Sequence, residues 1–172
     1  MPRAVVRGCW PVVLLLIVGC TAAPSQKGPA AGDEGQLKEA FAAYQQALKQ
    51  WIKDKDADKI WDLLSAEARG DADRAAKRLR DDYARADAAE KPKLAKALDL
   101  SGDEVANLTG KGFVKTPRFI GMTGIELPGS TYESATIQGN KATVKYKEAD
   151  GDIEKLSFVW EDGSWKASPT VE

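Results

Sequence analysis

The apolar residues of this 172-residue chain change period once along its length, and that change constrains the fold more than any other feature. From Leu37 onward they recur at steps of three and four, the period of helices that bury one face; from about Arg118 they come in short runs and alternations, the period of strands. A chain with helices first and strands after builds an α+β domain, N-terminal helices packed on an antiparallel sheet of four to five strands.

Leu37, Phe41, Tyr44, Leu48, Trp51 and Ile52 form one stripe of a helix from about Gln36 to Lys53. The polar run KDKDADK then breaks it. Ile60, Trp61, Leu63 and Leu64 make a short second helix that stops near Gly70, and a third starts at Asp71 or Asp73 with Ala75 or Ala76, Leu79, Tyr83 and Ala86 inward. On its wet face Asp73 with Lys77 and Asp81 with Arg85 have the spacing of ion pairs. Ser101 and Glu104 spell a capping box, with Leu100 and Val105 at the two positions of a hydrophobic staple, so a further helix starts at Gly102 and ends by Gly110 or Gly112.

Five strands are expected, at about Arg118–Met122, Tyr132–Ile137, Lys141–Glu148, Ile153–Trp160 and Ser164–Ala167. In the third, Ala142, Val144 and Tyr146 face one way and Lys141, Thr143, Lys145 and Lys147 the other, as in a sheet with one wet side. Gly139-Asn140 and Asp162-Gly163 sit where two-residue hairpin turns belong, and the second turn sets Trp160 opposite Trp165.

Ahead of the domain, Arg3 and Arg7 precede an apolar run from Trp10 to Gly19, too short for the roughly 20 residues that span a bilayer as a helix. Ile17, Val18, Gly19 and Cys20 resemble the bacterial lipobox. That resemblance implies cleavage before Cys20, acylation of its thiol and attachment to the cell envelope; Thr21, in place of Asp, implies the outer membrane if the organism has two. Residues 1–19 are then a signal peptide, 20–35 a lipidated tether rich in Ala, Pro and Gly, and 36–172 a single α+β domain. Two of the 25 basic residues leave with the signal, so 23 face 26 acidic ones, a balance of −3 that argues against nucleic acid as partner. Cys9 leaves as well, and the remaining domain has neither cysteine nor histidine.

Helices followed by a meander that ends in FVWEDGSWKAS, Phe158 to Ser168, resemble the nuclear-transport-factor-2-like superfamily, also called cystatin-like, and especially its small bacterial lipoproteins. The resemblance implies a curved sheet wrapped around a long helix, a cone whose open end holds a small apolar ligand. Tyr44, Trp51, Phe119, Tyr146 and Trp160 are the candidate lining of such a cavity, expected at several hundred cubic ångströms. The function expected is that of a membrane-anchored envelope lipoprotein, held through Cys20, whose non-catalytic domain binds a protein or a small apolar ligand. A structural or scaffold role stays open, as does a small pocket enzyme of the isomerase or dehydratase type.

Catalysis and cofactors find little support in the residues. Proton transfer needs a group tuned by burial, and with histidine absent only Glu126 and Glu133 are acids in apolar strand contexts, beside Tyr132 and Tyr146 as strand phenols. Asp54, Asp56 and Asp58 begin like a calcium loop, but Lys59 stands where glycine is needed and Ser65 where a bidentate glutamate belongs, so they read as helix-capping residues. The TGKG run lacks phosphate-loop spacing. Neither metal nor cofactor is expected.

Overall fold

The computed structural model describes residues 33–54, 56–123 and 129–170. The signal segment, Cys20, most of the tether, and Ile125 and Glu126 lie outside the described residues. Helices α1 (Glu34–Asp54), α2 (Asp58–Leu63), α3 (Ala66–Arg85), α4 (Lys91–Ala97), α5 (Gly102–Ala106), α6 (Gly110–Val114) and α7 (Pro117–Thr123) precede strands β1 (Thr131–Gln138), β2 (Lys141–Lys147), β3 (Ile153–Glu161) and β4 (Ser164–Ala167). The four strands form one antiparallel sheet in the order β1-β2-β3-β4. The fold class is α+β.

In α1, Leu37, Phe41, Tyr44, Ala47, Leu48 and Trp51 are buried against the sheet, but Ile52 points to solvent at 51 % exposure. Trp51 continues the stripe three residues past Leu48, and its neighbour Ile52 falls a further 100° around the helix, outside it. Asp54 and Asp56 accept the backbone N–H of Asp56 and Asp58 (3.0 and 2.9 Å), local turns that join α1 to α2.

Helix α3 starts earlier than its charge pattern suggests. Ser65 is its N-cap, accepting from the Ala68 N–H (3.1 Å), and the helix runs straight through Gly70. A single helical glycine costs only about 1 kcal/mol against alanine, too little to stop a helix with a good cap. The buried face is Ala68, Ala72, Ala75, Ala76 and Leu79, small enough for α6 to pack close. Outside, Lys77 pairs with Asp81 (2.6 Å) and Arg85 with Asp82 (2.6 Å), while Asp73 turns away from Lys77 to accept the Gly110 N–H at the start of α6 (3.0 Å). Both oxygen roles at the capping box are present: Ser101 accepts from the Glu104 N–H, and Glu104 from the Ser101 N–H (2.7 Å). Those bonds hold the Glu104 carboxyl below its usual range.

The first expected strand, Arg118–Met122, is instead part of α7. Thr116 is buried and its Oγ1 accepts from the Phe119 N–H (3.4 Å), and Pro117 fills the first helical position, where its missing N–H and fixed φ suit a helix start. Likewise TGKG does not end the helical half: Thr109 caps a new turn by accepting from the Gly112 N–H (3.0 Å). The sheet therefore has four strands, the low end of the expected range.

Register is set at the turns. Asp162 and Gly163 both have positive φ, +49° and +79°, the signature of a type I′ turn whose twist suits a hairpin. Trp160 and Trp165 are consequently opposed, their rings edge to face at 5.4 Å. Glu133 sits at a bulge between Tyr132 and Ser134.

One joint closes the molecule. Leu64 forms a parallel bridge to Ala167, the Ser65 N–H donates to the Ala167 carbonyl (2.8 Å), and the Ser65 hydroxyl reaches that of Ser168 (3.1 Å). The Glu161 carboxylate accepts the Ala66 N–H (2.9 Å), an anion where the helix dipole favours one. Lys166 donates to the Asp62 carbonyl (2.8 Å).

Candidate functional site

Of the five residues proposed to line a cavity, Tyr44 and Trp51 lie on α1, Phe119 on α7, Tyr146 on β2 and Trp160 on β3. Four are core: Tyr44 and Phe119 are fully buried, Tyr146 and Trp51 nearly so, and Trp160 is half-buried against Trp165. The structure brings Tyr44 and Tyr146 close enough to interact electrostatically, with Phe41 5.6 Å from the Tyr146 ring, while Phe119 packs edge-on against Phe113 at 6.0 Å, in another part of the core. Space between sheet and α1 is thus taken by aromatic rings, and the clefts described below have other linings.

The phenols there are poor proton carriers. Burial, then the neighbouring Tyr146, raises the pKa of Tyr44, whose hydroxyl has no hydrogen-bond partner among the described residues. Burial first, then Glu148 and Glu154, pushes Tyr146 up to about 12; burial and the bond its hydroxyl donates to Glu34 (2.6 Å) push Tyr132 up to about 12. A base for neutral pH needs a shift the other way. Glu133 is exposed at its bulge. Among the described residues there is no group of three or more potential metal ligands.

Among the described residues, three clefts lie on the helical half, and a polar one of about 390 Å³ lies where the start of α3 meets Lys141 and Ser157 on the sheet. A cleft of about 430 Å³ between α5 and α6 is edged by Asp103, Glu104, Asn107 and Lys115, and one of about 580 Å³ runs from the end of α3 to α4 past Asp82, Arg85, Glu90 and Lys93. Both are wide and charged. A third, of about 330 Å³, is more enclosed: Leu79 from α3, Leu94, Ala97 and Leu98 from α4 and its end, and Val105 from α5 form apolar walls, and Arg118 at the second position of α7 stands over them. Arg118 is exposed, and among the described residues its guanidinium makes no ion pair or hydrogen bond. An apolar cleft with one cation and no competing acid in its lining suits a small apolar molecule with a single negative end.

No family model, curated protein or solved structure matches this chain. The site therefore rests on its own geometry. Sequence reading missed this cleft because its walls come from three successive helices, α3 to α5, whose mutual packing no local pattern states, with Arg118 added from α7. A local signal existed only for Arg118, a lone cation between Pro117 and the apolar pair Phe119-Ile120.

Proposed function

We propose that this chain is a membrane-anchored envelope lipoprotein whose folded domain binds a small, mainly apolar ligand and performs no chemistry on it. The cleft under Arg118 carries the binding half of this reading: apolar walls supply affinity, and an unpaired guanidinium supplies a preference for a carboxylate or similar anion. The address rests on the run LLLIVGC, Leu14–Cys20, which in this reading is cut before Cys20 and acylated, with the outer membrane as destination where there are two membranes. Docking of a protein on an apolar patch has less support, because the large apolar side chains exposed among the described residues, Ile52 and Ile153, sit singly on α1 and β3.

The binding half is tested on the full chain with leucine and valine methyl groups labelled for nuclear magnetic resonance. Octanoate should shift the Leu94, Leu98 and Val105 methyls, and Arg118→Gln should weaken octanoate about tenfold or more while leaving octanol unchanged, as loss of a charged hydrogen bond implies. Shifts confined to other methyls would refute the site. The address is tested by Cys20→Ser, which should abolish palmitate labelling and release from the signal; a variant still labelled and processed would refute lipidation.

A further inference from the structure

The outer face of the sheet, opposite the core, is lined by Thr131, Ser134, Thr136 and Gln138 on β1, Lys141, Thr143, Lys145 and Lys147 on β2, and Ile153, Lys155, Ser157 and Val159 on β3. Lys145 and Lys155 are directly opposed in the ladder, with Lys147 two residues along. Like charges facing each other across a strand pair destabilise it, and among the described residues none of Lys141, Lys145, Lys147 and Lys155 makes an ion pair that would offset them. Most acids border this face, with Asp150 and Asp152 in the β2–β3 turn and Glu67 and Asp71 of α3 beside Lys141, while Glu133 is exposed at the β1 bulge next to Ser134, the partner of Lys145, and is outnumbered by the four lysines. Glu161, on the same face of β3, is already engaged by the Ala66 N–H. Around the lysines stand mostly short hydroxyl side chains, with Gln138 at one end and Ile153 and Val159 as single apolar residues on β3, so the surface is polar and without an apolar ridge to insert.

We propose that this lysine face lies against anionic phospholipid headgroups, a second membrane contact beside the acyl anchor. The choice of a bilayer over another polyanion rests on the anchored reading given above. On that reading residues 20–33 connect Cys20 to α1, and α1 begins at the edge of the sheet, where Glu34 holds the Tyr132 hydroxyl on β1. Read as a tether, a chain of that length would reach about 20 Å, enough to let the sheet turn its outer face to the surface from which it hangs. Phosphate headgroups would supply the counter-charge that the Lys145–Lys155 pair lacks, and each lysine near an anionic surface raises binding about fivefold. Adsorption of this kind is electrostatic and weakens with salt.

Lysine acetylation read by mass spectrometry tests this on the full chain. Vesicles containing phosphatidylglycerol should slow the reaction of Lys145, Lys147 and Lys155 by about fivefold or more relative to pure phosphatidylcholine vesicles. Lys49 on α1 and Lys77 on α3 should react alike in both, and high salt should remove the difference. Equal rates at the face in both vesicles would overturn the proposal, as would protection by a soluble anionic polysaccharide but not by vesicles. Lys155→Glu turns the opposed like pair into an opposite pair, so its unfolding midpoint should hold or rise while protection of Lys145 and Lys147 is lost; retained protection would also overturn the proposal. If that variant unfolds more easily, Lys155→Gln makes the same comparison. The two membrane claims separate cleanly: a chain that sediments only with phosphatidylglycerol vesicles keeps the lysine face and loses the anchor, and one that sediments with both while its face lysines react equally does the reverse.

Discussion

Trp165 both fills the core and fixes the register of the last hairpin. Its ring is 3 % exposed and meets Trp160 edge to face, so its contribution is mostly burial, which the unpartnered indole N–H reduces. Trp165→Ala should cost about 3 to 5 kcal/mol in denaturant unfolding, the range for large aromatic truncations in a core; a loss under about 1 kcal/mol would contradict the packing described. The phenols give a second test. Tyr44, Tyr132 and Tyr146 all have folded pKa values raised above the ordinary 10.0, so the unfolded chain releases their protons first. Their contribution is intact below pH 10 and is lost as pH climbs through 12. The unfolding midpoint should therefore drop across that window, and Tyr132→Phe should make the drop shallower.

At the scale of elements, what could be read from the sequence was whatever a few adjacent residues settle among themselves. The Ser101–Glu104 box and the Asp162-Gly163 turn each contain their own partners, and both stand as read. Where a short apolar run could serve either period, as in Arg118–Met122, the deciding signal was the Thr116-Pro117 start, which favours a helix over a strand. Asp73 could not be placed from its own helix, because its partner is 37 residues away. The cleft under Arg118 was equally illegible for that reason, and the aromatic positions chosen to line a cavity are the ones most useful for filling a core. Gly110 shows what close packing asks of a sequence: a methyl group there would stand 2.8 Å from the Asp73 backbone nitrogen. Gly110→Ala should accordingly lower stability by about 1 to 3 kcal/mol, the cost of overpacking, and should expose the Asp73–Gly110 amide bond to hydrogen exchange.

For the whole molecule, the joint between Ser65 and the end of β4 ties together groups 103 residues apart in the chain. Bringing such distant groups together carries a loop-closure cost that is met only after the helices and hairpins have formed, so this contact belongs late in folding. Deleting residues 164–172 should remove the cooperative unfolding transition while leaving helical circular dichroism, because the Ala167 and Ser168 groups that hold Ser65, the cap of α3, and the partner of β3 are lost together; a truncated chain that still melts in one sharp step would refute this. The consequence concerns timing. A chain synthesised amino end first cannot complete this closure until Ala167 and Ser168 have emerged, so its helical half stays slack until the final hairpin arrives to latch it.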